Sequence, residues 1–120
     1  MSAVMLEKAK EVGRLLGQTE EYKALQRARE RLNSDRETVE LVNRLAELER
    51  ELQGQLQQGQ QPSEEQQKEY EETFSKLQSG SIYQGVVAAQ SNFDRVLQKV
   101  NEQIGAGIEQ GAQSSIIISP

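Results

Sequence analysis

The segment from Ser81 to Ile108 constrains the fold of this chain most strongly. Its apolar residues recur at steps of three and four, and they are Ile82, Val86, Ala89, Phe93, Val96, Val100 and Ile104. This spacing is typical of one face of an α-helix that packs against another helix. A helix of this length would extend about 40 Å at the usual rise per residue. Short helices cannot cover it, so the pattern predicts a second long helix or a second chain beside it.

Two helices are predicted in the first third of the chain. Residues 2–16 place apolar side chains on one face, and Gly17 is a typical end for such a helix. Thr19 is a good N-cap for the next helix, whose first turn contains two glutamates that favour the positive end of the helix dipole. The short connection predicts that the two helices fold back on each other or kink sharply.

Two further helices are predicted before Ser81. Ser34–Glu37 has the pattern of a capping box, and we expect it to begin a long third helix that runs to about Gln57. A polar, glutamine-rich stretch follows and ends in Pro62, which disfavours helix at the residue before it. Ser63 and Gln66 then form a second capping box, which predicts the start of a fourth helix.

These elements predict an all-α protein, an elongated antiparallel helical bundle of about five helices. Two of the helices are long, the third and the last, and we expect them to pair. We expect one helical domain over residues 1–110 and a flexible C-terminal tail over residues 111–120, because glycines weaken the helix from Gly105 onward. The tail includes Ile116–Ile118, which could pack on a partner or remain disordered.

The composition excludes several kinds of function. The chain contains no cysteine, so it forms no disulfide and offers no thiolate to a metal or cluster. It contains no histidine, which removes the commonest general base and nitrogen ligand. No nucleophile and base can be paired, and we therefore expect no catalytic residue, no bound metal and no cofactor. A net charge of −5 opposes binding of nucleic acid by the whole surface.

The same composition favours self-association in the cytoplasm. The chain has no tryptophan, only two phenylalanines and three tyrosines, so its core is lean. Small domains bury a low fraction of their surface, and oligomerisation is the ordinary remedy. No apolar segment is as long as a membrane span, and no leader pattern opens the chain, so we expect a soluble cytoplasmic protein.

The order of local motifs carries a resemblance to a known family. In chain order the motifs are Leu15-Leu16-Gly17, Thr19-Glu20-Glu21-Tyr22-Lys23, Pro62-Ser63-Glu64-Glu65, Ile82-Tyr83-Gln84 and Ala89-Gln90-Ser91-Asn92-Phe93. Together they resemble the YlbF/YmcA family of small helical bacterial regulators over most of residues 3–108.

The resemblance implies an all-helical, dimer-forming regulator without enzymatic activity that works by binding other proteins. Members of the family act in a complex that assists an endoribonuclease in processing messenger RNA, and thereby affect competence, biofilm formation and sporulation. Cysteines carry iron–sulfur clusters in that complex. This chain departs from that pattern because it has no cysteine, which fits a paralogue with a role outside the complex.

Five apolar residues are the predicted interface, because they widen the helical stripes beyond what one pair of helices needs. They are Leu41, Leu48, Val87, Phe93 and Leu97. Buried apolar side chains of this size contribute about 1.5–3 kcal/mol each, so a few of them repeated by twofold symmetry would hold a homodimer. Packing inside a single subunit is the alternative explanation for the same residues.

Lys23, Arg27 and Arg31 form a basic stripe, since they lie four residues apart on the second helix. Such a stripe could bind an acidic partner or RNA phosphate, but neighbouring glutamates favour an ordinary solvated face. No aromatic residue interleaves with it to stack bases. We therefore expect the protein to bind itself and unidentified proteins, with no membrane and no direct nucleic acid. A helical-hairpin chaperone or scaffold, or a weak RNA-binding accessory, remain the alternatives.

Overall fold

The computed structural model describes the backbone of residues 2–118 and the side chains of residues 2–113. Throughout this part of the chain the regular structure is α-helical, which confirms the predicted fold class. The described residues form five helices: α1 Ala3–Gly17, α2 Glu20–Ser34, α3 Arg36–Gln57, α4 Glu64–Ser79 and α5 Ser81–Ile118. The longest two are α3 with 22 residues and α5 with 38, as the pattern of apolar residues predicts.

Side-chain caps fix the starts of two helices as expected from the sequence. The hydroxyl of Thr19 accepts a hydrogen bond from the backbone N–H of Tyr22 at 3.1 Å, in the first turn of α2. Ser63 and Gln66 form a complete capping box at α4, with hydrogen bonds of 3.1 and 3.0 Å. These bonds satisfy backbone N–H groups that have no partner within the helix.

The start of α3 lies one residue later than predicted. Ser34 is the last residue of α2, and its hydroxyl donates to the carbonyl oxygen of Glu30 at 2.8 Å. Asp35 is the N-cap instead: its carboxylate accepts from the backbone N–H of Thr38 at 3.1 Å and from the hydroxyl of Thr38 at 2.5 Å. The hydroxyl and then the backbone hydrogen bond of Thr38 lower the pKa of Asp35 below its ordinary value. The prediction of a capping box from Ser34 is therefore wrong, because an aspartate caps equally well.

The chain divides into two compact units, which we call the hairpin unit and the terminal unit. The hairpin unit is Gln26–Ala88, and the terminal unit consists of the chain up to Leu25 together with the chain from Ala89 onward. The single domain over residues 1–110 stays a prediction.

In the hairpin unit, α3 packs against α4. The connection between them is short and includes Gly59, whose φ of 74° is one that glycine adopts without strain. A short connection between packed helices makes them antiparallel. The buried residues of these two helices are Leu45 and Leu48 of α3 and Thr73 and Leu77 of α4. From the sequence we expect α3 to pair with the last helix. In the structure α4 packs against α3 instead, because the short loop between them returns the chain along α3.

Polar and aromatic contacts flank this hairpin core. The guanidinium of Arg44 donates to one carboxylate oxygen of Glu69 from two nitrogens, at 2.8 and 2.7 Å, and to Glu47 at 3.0 Å. The hydrogen bond to Glu69, and to a smaller extent the one to Glu47, raises the pKa of Arg44. Tyr70 stacks on Phe74 with ring centroids 6.2 Å apart, and its hydroxyl donates to Glu49 at 3.4 Å.

In the terminal unit, Leu25 and Ala89 are buried. Tyr22 of α2 and Phe93 of α5 meet with ring centroids 5.2 Å apart and planes tilted by 58°. Tilted aromatic pairs at this distance are favourable because the edge of one ring meets the face of the other. This contact lies on the apolar stripe of α5 that the sequence identifies.

The last helix does not end among its glycines. The backbone of α5 stays helical to Ile118, so glycine propensity alone misplaces the end of the helix. The side chains of Ile116–Ile118 lie outside the described residues, and the flexibility of residues 111–120 stays a prediction. Across the described chain, the helices lack the length of apolar sequence that crossing a membrane requires.

Candidate interaction surface

The first helix has an apolar face that its own chain leaves uncovered. Within the described residues, α1 contains no buried residue, and Leu16 alone is half-buried. The large apolar side chains on one side of α1 are Val4, Met5, Val12 and Leu15, and they are between 37% and 65% exposed. They lie within about 100° of one another around the helix axis. This is the width that a helix normally buries against a neighbour.

The last helix also has an uncovered apolar face, in the part that follows Val100. One face of α5 carries Phe93, Leu97, Val100, Ile104 and Ile108 within about 80°. The first three are half-buried, whereas Ile104 and Ile108 are 52% and 67% exposed. Every residue from 101 to 113 is exposed. The apolar face of α5 therefore continues past the point where the described part of the subunit covers it.

We call these two faces together the terminal apolar surface. It comprises Val4, Met5, Val12 and Leu15 of α1 and Ile104 and Ile108 of α5, all of which belong to the terminal unit. Exposed apolar faces of this kind are typical of interaction sites. The arrangement can bind an amphipathic helix.

The predicted interface residues occupy three different environments. Leu48 is only 1% exposed in the core of the hairpin unit, so packing within the subunit accounts for it, while Leu41 on the same helix is half-buried. Val87 is 51% exposed. Phe93 and Leu97 are half-buried in the terminal unit, where Phe93 contacts Tyr22. An interface at the residues other than Leu48 stays a prediction.

The apolar pattern in the sequence identifies the stripe of α1 but indicates no function for it. Val4, Leu15 and Ile108 are absent from the predicted interface although they are among the most exposed large apolar residues. The signal that could have found them is the width of the α1 face together with the continuation of the α5 stripe. What the sequence does not reveal is that neither face is covered within the subunit.

The basic stripe lies on α2, and all three of its residues are exposed. Lys23, in the terminal unit, forms an ion pair with Glu20 at 3.7 Å. Arg27 and Arg31, in the hairpin unit, line an open depression that also contains Glu30 and Asp35. The neighbouring carboxylates reduce the positive potential that a phosphate would need.

Comparison with known proteins identifies the family of this chain. Residues 5–109 match the family model described as "Control of competence regulator ComK, YlbF/YmcA". The chain belongs to the YlbF/YmcA family. The resemblance found from the sequence motifs is thereby confirmed.

Relatives of this YlbF/YmcA protein carry the name UPF0342 protein. One from Limosilactobacillus reuteri is 27% identical over 101 residues, which are 84% of this chain and 82% of the relative. One from Staphylococcus saprophyticus is 25% identical over 104 residues, 87% of this chain and 91% of the relative. One from Leuconostoc citreum is 24% identical over 102 residues, 85% of this chain and 86% of the relative.

The match to the YlbF/YmcA family covers all residues of the terminal apolar surface except Val4. It begins at Met5 and ends after Ile108, so it includes most of α1 and the exposed part of α5 up to Glu109. The uncovered faces are thus part of the family fold and not an addition outside it.

Proposed function

We propose that this protein is a cytoplasmic, non-enzymatic regulator that acts as a homodimeric adaptor and binds other proteins through apolar helical surfaces. The observation that carries this proposal is α1, an amphipathic helix of 15 residues that contains no buried residue in the described chain. An isolated helix of this length is only marginally stable in water, so its apolar face calls for a partner. The family description as a control of competence supports a regulatory role.

We further propose that the regulated process is developmental or involves RNA processing, as the family resemblance implies. The protein would take part without an iron–sulfur cluster of its own, because it has no cysteine to bind one. Its contribution would then be to hold proteins together and not to carry out redox or hydrolytic chemistry.

Affinity purification from the protein's own cells tests the adaptor role. The tagged wild-type chain should retain one or a few proteins in stoichiometric amounts, identified by mass spectrometry. Val12→Asp, on the α1 face, should lose them, whereas Leu56→Asp should keep them. Leu56 is a matched control because it is 66% exposed and lies in the hairpin unit. Equal recovery of partners by all three chains, or recovery of none, contradicts the proposal.

Two cheaper measurements separate the alternatives. A chaperone would suppress the aggregation of unrelated unfolded proteins, which an adaptor does not do. An RNA-binding accessory would bind RNA with an affinity that falls steeply with salt, and the joint substitution of Lys23, Arg27 and Arg31 by alanine would weaken it. We expect neither activity, since the basic residues lie beside carboxylates.

A further inference from the structure

We propose that one side of the hairpin unit binds an arginine of a basic segment of a partner protein, through the rings of Tyr70 and Phe74 and the carboxylate of Glu49. We call these three residues the aromatic–acid site. All three belong to the hairpin unit, so the site requires neither α1 nor a second copy of the chain. This binding is additional to the proposed function, whose apolar faces lie in the terminal unit.

Two aromatic rings of α4 remain partly exposed to solvent. Tyr70 and Phe74 lie one helical turn apart, and their rings are nearly parallel, with planes 3° apart and centroids 6.2 Å apart. Phe74 is 36% exposed, and Tyr70 is half-buried. Aromatic rings at a surface offer their negative faces to a cation, and the planar guanidinium of arginine is the cation that most often stacks there.

A carboxylate lies beside these rings. The hydroxyl of Tyr70 donates to Glu49 at 3.4 Å, which is long for a hydrogen bond between two oxygens. Within the described chain Glu49 forms no ion pair, because the arginines that flank it in α3, Arg44 and Arg50, donate to other groups. The carboxylate of Glu49 therefore keeps acceptor positions for a cation that its own subunit does not supply.

An arginine side chain satisfies both parts of the aromatic–acid site at once. Its flat guanidinium stacks on the rings, while its N–H groups donate two parallel hydrogen bonds to the carboxylate of Glu49. A lysine side chain supplies the charge but has no planar group to stack and no fork to match the two oxygens. The geometry therefore favours arginine over lysine.

The charge of the hairpin unit indicates that the arginine belongs to a basic protein segment. Helices α3 and α4 together contain ten acidic and five basic residues, so their net charge of −5 equals that of the whole chain. The rest of the chain contains nine of each kind. A negative surface attracts basic segments of proteins and repels nucleic acid and anionic membranes.

Binding of synthetic peptides to the full chain tests the aromatic–acid site. The probe is a fluorescent peptide of alanine and glutamine with arginines one helical turn apart, and two matched peptides carry lysine or citrulline at the same positions. We expect the lysine peptide to bind about threefold to tenfold more weakly than the arginine peptide, because it cannot stack. The uncharged citrulline peptide should not bind. Fluorescence anisotropy measures the dissociation constants.

Variants of the chain locate the binding. Glu49→Gln keeps an acceptor for Tyr70 but removes the charge, and Phe74→Leu keeps an apolar side chain but removes the ring. Each should weaken binding of the arginine peptide by about threefold to tenfold. Glu51→Gln is the matched control, because it removes the same charge from an exposed position about 160° around α3 from Glu49, and it should leave the affinity nearly unchanged. Circular dichroism checks that all three variants remain helical.

Three results would overturn the proposal. The first is equal binding of the arginine and lysine peptides, or equal losses in Glu49→Gln and Glu51→Gln, since either means that only the overall negative charge attracts the peptide. The second is binding that Phe74→Leu leaves unchanged, and the third is no binding of the arginine peptide. None of them affects the proposed homodimer, whose failure would appear as the mass of a single subunit for the wild-type chain.

Discussion

Tyr22 and Phe93 join α2 to α5 through a tilted ring contact, with centroids 5.2 Å apart. The contact marks the part of the α5 stripe that the subunit covers with its own residues. Further along the same face, Ile104 and Ile108 are more than half exposed. One stripe therefore begins as part of the chain's own packing and continues as an apolar face that the described part of the chain leaves exposed.

The ring contact predicts a measurable loss of stability in Phe93→Ala. We expect a decrease of about 1.5–3 kcal/mol in the free energy of unfolding, which is below the range for fully buried phenylalanines because Phe93 is half-buried. Phe93→Leu should cost less, since it keeps most of the apolar area and loses only the ring geometry. Urea denaturation followed by circular dichroism measures both. Equal midpoints for wild type and Phe93→Ala would show that the contact adds nothing.

The hairpin unit predicts that two leucines of α3 differ greatly in their contribution. Leu48 is 1% exposed and Leu56 is 66% exposed. Leu48→Ala should lower the free energy of unfolding by about 2–5 kcal/mol, because it leaves a cavity in packed surroundings. Leu56→Ala should change it by no more than about 0.5 kcal/mol. Thermal or urea unfolding of the two variants side by side decides whether α3 faces α4 in the register described.

Asp35 predicts a dependence of stability on pH. Its folded-state pKa lies below the ordinary value of 3.8, because Thr38 donates two hydrogen bonds to its carboxylate. The charged cap therefore stabilises the folded state fully above the ordinary pKa, and this contribution is lost as the pH falls through the lowered one. The difference in melting temperature between wild type and Asp35→Ala should be largest near neutral pH and should become smaller in acid. A difference that stays constant into acid would contradict this assignment.

Two glycines of α5 predict opposite outcomes for the same substitution. Gly111 lies on the face of Ile104, whereas Gly105 lies about 100° away from it, and at both positions an added Cβ atom would meet no atom of the subunit within 4 Å. We expect Gly111→Leu to weaken the proposed homodimer, because a side chain on the exposed apolar face would hinder the close approach of a second helix. Gly105→Leu should leave the dimer intact. Sedimentation over a range of concentrations measures both, and equal dissociation constants would exclude a close approach at Gly111.

The sequence predicts most of the local structure, because signals between residues a few positions apart determine it. The cap at Thr19, the capping box at Ser63 and the stripe of α5 depend on neighbours a few residues apart, and each is found in the structure. The N-cap of α3 is Asp35 and not Ser34. Serine and aspartate are both good N-caps, so residue type alone does not decide which of the two neighbours begins the helix.

Contacts between residues far apart in the chain are harder to predict from the sequence. The apolar periodicity of α3 indicates that this helix packs against another one but does not identify which. In the structure that helix is α4. The same limit applies to the candidate site. Val12 and Ile108 look like core residues in the sequence, and only their exposure in the folded subunit identifies them as surface.

The molar mass of the wild-type chain in solution tests the central claim most directly. Light scattering at micromolar concentration should give about twice the 13.5 kDa of one chain, because we propose that the chain forms a homodimer through its apolar helical faces. A mass of 13.5 kDa that persists as the concentration rises would contradict the account.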